Sequence, residues 1–219
     1  MITFDTIRKN EEILSYIAKG NANLGVLGYT EHAQGHAMKA ADTAAKILTV
    51  LGHDEREIEL AKIAGFMHDI GNCVNRTDHA HTGGVMAMQI LRSMGMAFDE
   101  IAVIAAAIGN HDEKTGTAVD AVSAALILAD KTDVRRNRVR SRDKTKFDIH
   151  DRVNFAVISS AVNVDRENRY ITMTIELDDA MCSVMDYFEI FLGRMVMCRR
   201  AAEMLGCRFR MIANGIQVV

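Results

Sequence analysis

Phe66-Met67-His68-Asp69-Ile70-Gly71 sets a histidine and an aspartate side by side, after an apolar helical run and just before a glycine stop. Two ionisable side chains at the end of a buried helix are costly unless something pairs with them, and a metal ion suits both imidazole and carboxylate. Taken alone, the pair also reads as a helix end that happens to be polar. The rest of the chain decides, because further His and Asp residues fall on apolar helical faces.

Working outward, Asp54 is the expected cap of the helix that ends at the pair, with Ile58, Ala61, Phe66 and Met67 on its apolar side. Before it, a helix over 30–51 is expected to start at Thr30 and stop at Gly52. Its face carries His36, Ala40, Ala44, Ile47 and Leu51 at three- and four-residue steps, so His36 points where the apolar side chains point. An amphipathic helix over 3–19 and a glycine- and asparagine-rich loop over 20–28 precede it. After the pair, 72–80 reads as a polar loop. His81 then opens a helix that shares a face with Gly84, Val85 and Met88. A helix from Asp99 delivers His111 at its C-terminal end, and one from Thr117 carries Val122, Leu126 and Asp130 on its apolar side.

From Lys131 the chain turns basic, through Arg135, Arg136, Arg138, Arg140, Arg142, Lys144 and Lys146, opposed only by Asp133 and Asp143. A boundary is placed here, between residues 1–140 and 141–219. Beyond it the period changes. Residues 154–164 and 169–177 alternate or run β-branched, with a hairpin turn at 165–168. Residues 178–205 return to a helix, and 208–212 and 216–219 read as a final strand. The fold expected is mainly α, a helical bundle with a small C-terminal β-β-α-β unit.

Composition agrees with a cytoplasmic globular protein. The chain has 219 residues, 49% of them hydrophobic, a net charge of −3 and no proline. Near-balanced charge gives no global signal for a nucleic-acid polymer or a membrane surface. The apolar run 101–108 is too short to span a bilayer, and charges at Asp5, Arg8, Lys9, Glu11 and Glu12 break up any signal peptide. Cys73, Cys182, Cys198 and Cys207 lack CxxC spacing and read as reduced thiols.

The polar residues on apolar faces are therefore His36, His68, Asp69, His81, His111 and Asp130, drawn from five segments. Singly, His36 reads as a satisfied core histidine and Asp130 as a partner of Lys131; together they suit one metal centre. Imidazole with carboxylate favours zinc, iron, manganese or cobalt over magnesium or calcium. His79 is an alternative ligand beside His81. His32, a turn before His36, points either to the same pocket or to solvent. Asp112 and Glu113 are orienting groups, proton shuttles or exposed acids.

His36, the His68-Asp69 pair thirty-two residues on, and Asp130 after more helices resemble the HD-domain phosphohydrolases. Gly35-His36-Ala37-Met38-Lys39-Ala40-Ala41, Met67-His68-Asp69-Ile70-Gly71 and Leu128-Ala129-Asp130-Lys131 carry the likeness over residues 30–136. The resemblance implies that His36, His68, Asp69 and Asp130 hold one divalent ion, with His81 and His111 adding a second bridged by Asp69. It departs from the cyclic-di-nucleotide branch at Asn110, at Asn72 and in lacking a Gly-Tyr-Pro segment, so the second ion is expected to bind more loosely. The implied activity is hydrolysis of a small phosphate ester, a nucleotide or related mono- or diester, by a metal-activated water, with Fe, Mn, Zn, Co or Mg as the ion. Asp69, Lys131 and Asp112 are the expected catalytic residues, and Lys131, Arg135 and Arg136, with Arg138, the expected phosphate ligands. A di-iron oxygenase and a non-catalytic nucleotide sensor are the rival readings. The C-terminal strand edges suggest a homodimer.

Overall fold

The computed structural model describes residues 1–141, 143, 145 and 147–219; Arg142, Lys144 and Lys146 of the basic run lie outside the described residues. The helices are α1 (Phe4–Ile7), α2 (Glu11–Val26), α3 (Gln34–Leu51), α4 (Glu55–Met67), α5 (His79–Ser93), α6 (Phe98–Gly109), α7 (Ala121–Lys131), α8 (Ile149–Ala156) and α9 (Val184–Met204). The strands are β1 (Val157–Asp165), β2 (Tyr170–Leu177), β3 (Arg208–Ala213) and β4 (Ile216–Gln217). The molecule is mainly helical with a small C-terminal sheet, as the sequence indicates.

Side-chain caps set many of the boundaries. Asn10, Asp54, Asp120, Asp148 and Ser183 each accept a backbone N–H in the first turn of α2, α4, α7, α8 and α9. Asp120 and Ser183 form full capping boxes, with Ser123 and Asp186 returning the bond. The caps correct several expected limits. The N-terminal helix breaks at Asn10 and resumes as α2. Residues 20–26 then continue α2, because Gly20 lets the helix lie on Asn72 and Cys73, where a Cβ would come within 3.1 Å of each. α3 begins at Gln34, not Thr30, because the preceding chain is bound elsewhere: the Glu31 N–H donates to the Arg138 carbonyl at 2.7 Å and the His32 N–H to Asn21 at 3.1 Å.

Every residue of α7 from Val122 to Ala129 is buried, so α7 is the axis of the bundle. α3, α4 and α6 pack around one side of it and α9 covers another. α3 and α4 approach closely at Gly65, where a Cβ would stand 2.7 Å from the Ala41 Cα. Tyr187 and Phe191 of α9 join the same continuous apolar cluster as the helical core.

The sheet order is β1-β2-β3-β4. β1 and β2 form the expected hairpin: Asp165 accepts the Asn168 N–H at 2.9 Å, and Arg169 takes a φ of 57° to close the turn. β3 runs parallel to β2, and α9 makes the crossover between them. Residues 154–156, expected in the first strand, are instead the end of α8.

Candidate metal centre

Four imidazoles converge with two carboxylates where α3, α4, α5, α6 and α7 meet. His36 comes from the first turn of α3, and His68 and Asp69 follow α4. His79 opens α5, His111 follows α6, and Asp130 lies in the last turn of α7. For three of the four histidines a backbone carbonyl, at the end of α4 or α6 or just before α5, binds the ring Nδ1. Nδ1 of His68 donates to the Gly65 carbonyl at 2.7 Å, Nδ1 of His111 to Ile108 at 2.6 Å and Nδ1 of His79 to Arg76 at 3.1 Å. Nδ1 of His36 pairs with the buried Asp133 carboxylate at 2.8 Å. With Nδ1 as donor, each neutral ring presents a lone pair at Nε2.

Those lone pairs face one another. Nε2 of His36 and Nε2 of His68 are 3.2 Å apart, and Asp130 Oδ1 lies 3.3 Å from the first and 3.7 Å from the second. Asp69 Oδ2 is 3.3 Å from His68 and 3.7 Å from His36. Among the described residues this buried oxygen has no hydrogen-bond partner. Two lone pairs and two carboxylate oxygens at such spacings repel unless a cation lies among them. Asp69 Oδ1 faces the other way, 3.6 Å from His79 Nε2 and 3.9 Å from His111 Nε2, which are 3.2 Å from each other. The sets His36, His68 and Asp130, and His68, Asp69 and His111, each bring three ligand atoms within 4.8 Å of one another, with His79 beside the second, and such donors fit divalent ions of the N/O-binding class.

The electrostatics agree. Burial opposes ionisation of Asp69 and Asp130, yet His68 beside Asp69, and Lys131 and His36 beside Asp130, hold both carboxyls well below the ordinary range. Burial also disfavours charge on His68, but the Asp69 and Asp130 carboxylates override it and raise its pKa to about 9. The same two carboxylates that favour a proton on His68 also favour a divalent ion that replaces it. Burial keeps His111 and His79 neutral, which suits ligation.

The structure brings together His36, His68, Asp69, His111 and Asp130. It does not bring in His81, whose side chain is 58% exposed and lies beside Asp78. The expected phase of α5 was wrong because the helix starts two residues earlier than the polar loop suggested. Its inner face is His79, Ala80, Gly83, Gly84 and Ala87, while Val85 and Met88 are exposed. Gly71 fixes that phase: a Cβ there would stand 2.0 Å from the His79 carbonyl. The small residues 80, 83, 84 and 87 were the available signal, since they mark a closely packed face that includes position 79.

A cavity of about 620 Å³ opens over the centre. Asp69, His79, His111 and Asp130 lie at its base, with Arg76, Lys131 and Arg138 around them. α8 and α9 supply an outer wall with His150, Asp151, Asn154 and Arg194. Lys131 is buried and donates to Asp130 Oδ2 at 2.7 Å. Asp112 also lines the cavity and accepts the Lys114 N–H. Arg135 and Arg136 do not line it, a correction to their expected role as phosphate ligands. Arg135 is clamped on Asp133 at 2.6 and 2.9 Å, and Arg136 donates to the Phe155 carbonyl at 2.6 Å. The turn at Arg136–Arg138 sends Arg138 back inward instead, held by the Asp133 and Glu31 carbonyls at 2.7 and 2.9 Å. Arg194 pairs with Glu113 at the cavity edge. His32 is half-buried in the wall, its ring 5.4 Å from that of His36.

Residues 33–153 match the HD domain. The chain belongs to the HD domain family. Uncharacterized protein MJ1020 of Methanocaldococcus jannaschii is 26% identical over 171 residues, covering 67% of this chain and 65% of that protein. Ribonuclease Y of Thermosipho melanesiensis is 26% identical over 163 residues, covering 73% of this chain but 31% of the enzyme. This HD protein thus spans less than two thirds of the curated relatives it matches. A crystal structure of a predicted HD superfamily hydrolase from an uncultured Thermotogales bacterium is also similar, at 25% identity and a TM-score of 0.44, over 57% of this chain and 67% of that one. Among the described residues, no helix is long and apolar enough to cross a membrane.

Proposed function

We propose that the protein is a metal-dependent phosphohydrolase acting on a small phosphate ester, a nucleotide or a related mono- or diester. The observation that carries this reading is the convergence of Asp69 and Asp130 carboxylate oxygens with the Nε2 atoms of His36 and His68 in a buried cluster, beneath a cavity edged with cationic side chains. Membership of the HD domain family supports a hydrolase, and the likeness to Ribonuclease Y supports a phosphodiester as one candidate bond. A cavity of about 620 Å³ walled by α8 and α9 suits a small ligand.

His36, His68, Asp69 and Asp130 would hold one ion, and Asp69, His79 and His111 a second. Divalent ions there supply Lewis acidity toward phosphoryl oxygens and lower the pKa of water toward neutrality. The protein does the rest. Asp133 fixes the His36 ring and its tautomer, and backbone carbonyls do the same for the other rings. Lys131 and Arg138 offer positive charge to the non-reacting phosphoryl oxygens. Asp112, at the cavity wall, would move a proton at the leaving oxygen. α8 and α9 restrict water and substrate size on the open side.

Elemental analysis of the purified protein, joined to a panel of phosphomonoesters, phosphodiesters and short oligoribonucleotides with several divalent ions, tests the reading. Bound metal with hydrolysis of a small ester is expected. Iron accompanied only by oxygen-dependent chemistry, or bound metal with no hydrolysis across the panel, overturns it. Asp69→Ala is expected to lose both metal and hydrolysis; full metal content in that variant would show that the ligand set is wrong.

A further inference from the structure

The two halves of the centre differ in how their acceptor atoms are satisfied. In the first half, Nε2 of His36 and Nε2 of His68 face only each other and the Asp69 and Asp130 carboxylates, and among the described residues no arginine, lysine or amide donor reaches them, Asp69 Oδ2 or Asp130 Oδ1. The second half is different. Asn72 Nδ2 donates to Asp69 Oδ1 at 2.7 Å, and Arg76 Nη1 reaches His79 Nε2 at 3.2 Å. Because Nδ1 of His79 already donates to the Arg76 carbonyl, the guanidinium is the donor and His79 Nε2 the acceptor. The lone pair required of a second-ion ligand is thus occupied by an arginine of the same loop.

Arg76 also has a place to go. It bonds the Asn72 side-chain oxygen at 3.3 Å, lies 5.4 Å from the Tyr29 ring centroid and lines the cavity together with Tyr29. A guanidinium released from His79 therefore stays at the cavity wall, where an anionic ester is the natural partner.

We propose that Arg76 gates the second ion position: it occupies His79 until an anion draws it away, so that the first ion is resident and the second binds together with a phosphate-bearing ligand. This rests on the metal-centre reading above and extends it. An ion at the second position must break a charge-assisted hydrogen bond and sit beside a positive charge, which weakens its binding. An anion in the cavity removes both penalties at once. The coupling is reciprocal, so the second ion must also tighten anion binding by the same factor.

The test is calorimetric titration of the metal-stripped full chain and of Arg76→Ala with Mn²⁺, with and without inorganic phosphate. In the wild-type protein one tight ion and one weak ion are expected, and phosphate tightens the weak one. In Arg76→Ala the tight ion is unchanged, which also shows that the variant is folded. The weak ion binds at least about tenfold more tightly without phosphate, in keeping with loss of a charge-assisted bond, and the effect of phosphate shrinks. A second ion of equal affinity in both proteins, beside an unchanged tight one, overturns the gate alone. A variant that loses its second ion overturns it as well, since Arg76 would then support that position. No bound ion in either protein overturns the metal-centre reading and the gate together.

Discussion

His79 and His81 stand two residues apart, and only one faces the centre. Changing His79 to Ala is expected to remove one of two bound ions and most activity, while His81→Ala leaves metal content and rate unchanged; equal effects would contradict the placement of α5. Asp133 lies a turn beyond Asp130 and holds the His36 ring at 2.8 Å. Asp133→Ala should weaken the first ion by about 10–100-fold while leaving the protein folded, measured by competition with a chelating dye. The His68 pKa of about 9, raised from an ordinary 6.5, fixes a pH dependence. In the metal-free protein the stabilisation from charged His68 is complete below pH 6.5 and disappears as pH rises through about 9. An ion competes with that proton, so metal affinity moves the opposite way and rises over the same window. Melting temperatures of chelated protein that rise from pH 6.5 to 9 would show that His68 does not carry this charge. The residue types were legible at this scale because ionisable side chains on apolar helical faces are costly. The second neighbours were not. Asp133 sits inside a basic run that reads as solvated, and nothing in the order of residues says that its carboxylate turns inward.

Elements place these side chains through caps and close approaches. Asp120 closes α7 with a capping box, and α7 carries Asp130 at its far end. Asp120→Ala is expected to cost about 1 kcal/mol in urea unfolding, with little change in metal content. Gly71→Ala acts differently, since its Cβ would fall 2.0 Å from the His79 carbonyl. It should displace the start of α5 and lower second-ion binding more than an equally destabilising change elsewhere. Periodicity found α3, α4, α6 and α7 in outline. It misplaces α5 because loop-like composition hides the helix start, whereas packing of Gly71 and Gly83 against one another sets the phase.

At the scale of the molecule, α9 packs on α7 and its Tyr187 and Phe191 belong to the same apolar cluster as the helical core. A single cooperative thermal transition is therefore expected for residues 1–140 and 141–219, and Phe191→Ala should lower it by about 3–5 kcal/mol of stability. Two separate calorimetric transitions would show that the tail folds independently. The helical class, the hairpin and five of the six inward polar candidates, His36, His68, Asp69, His111 and Asp130, are legible along the chain, because each depends on short-range periodicity or on the cost of burying charge. Packing between distant segments settles which histidine of α5 faces inward, which arginines reach the cavity and that α8 and α9 wall it. Those outcomes depend on contacts between segments distant in the chain, where a rotation of one helix by a single residue changes which side chain is buried.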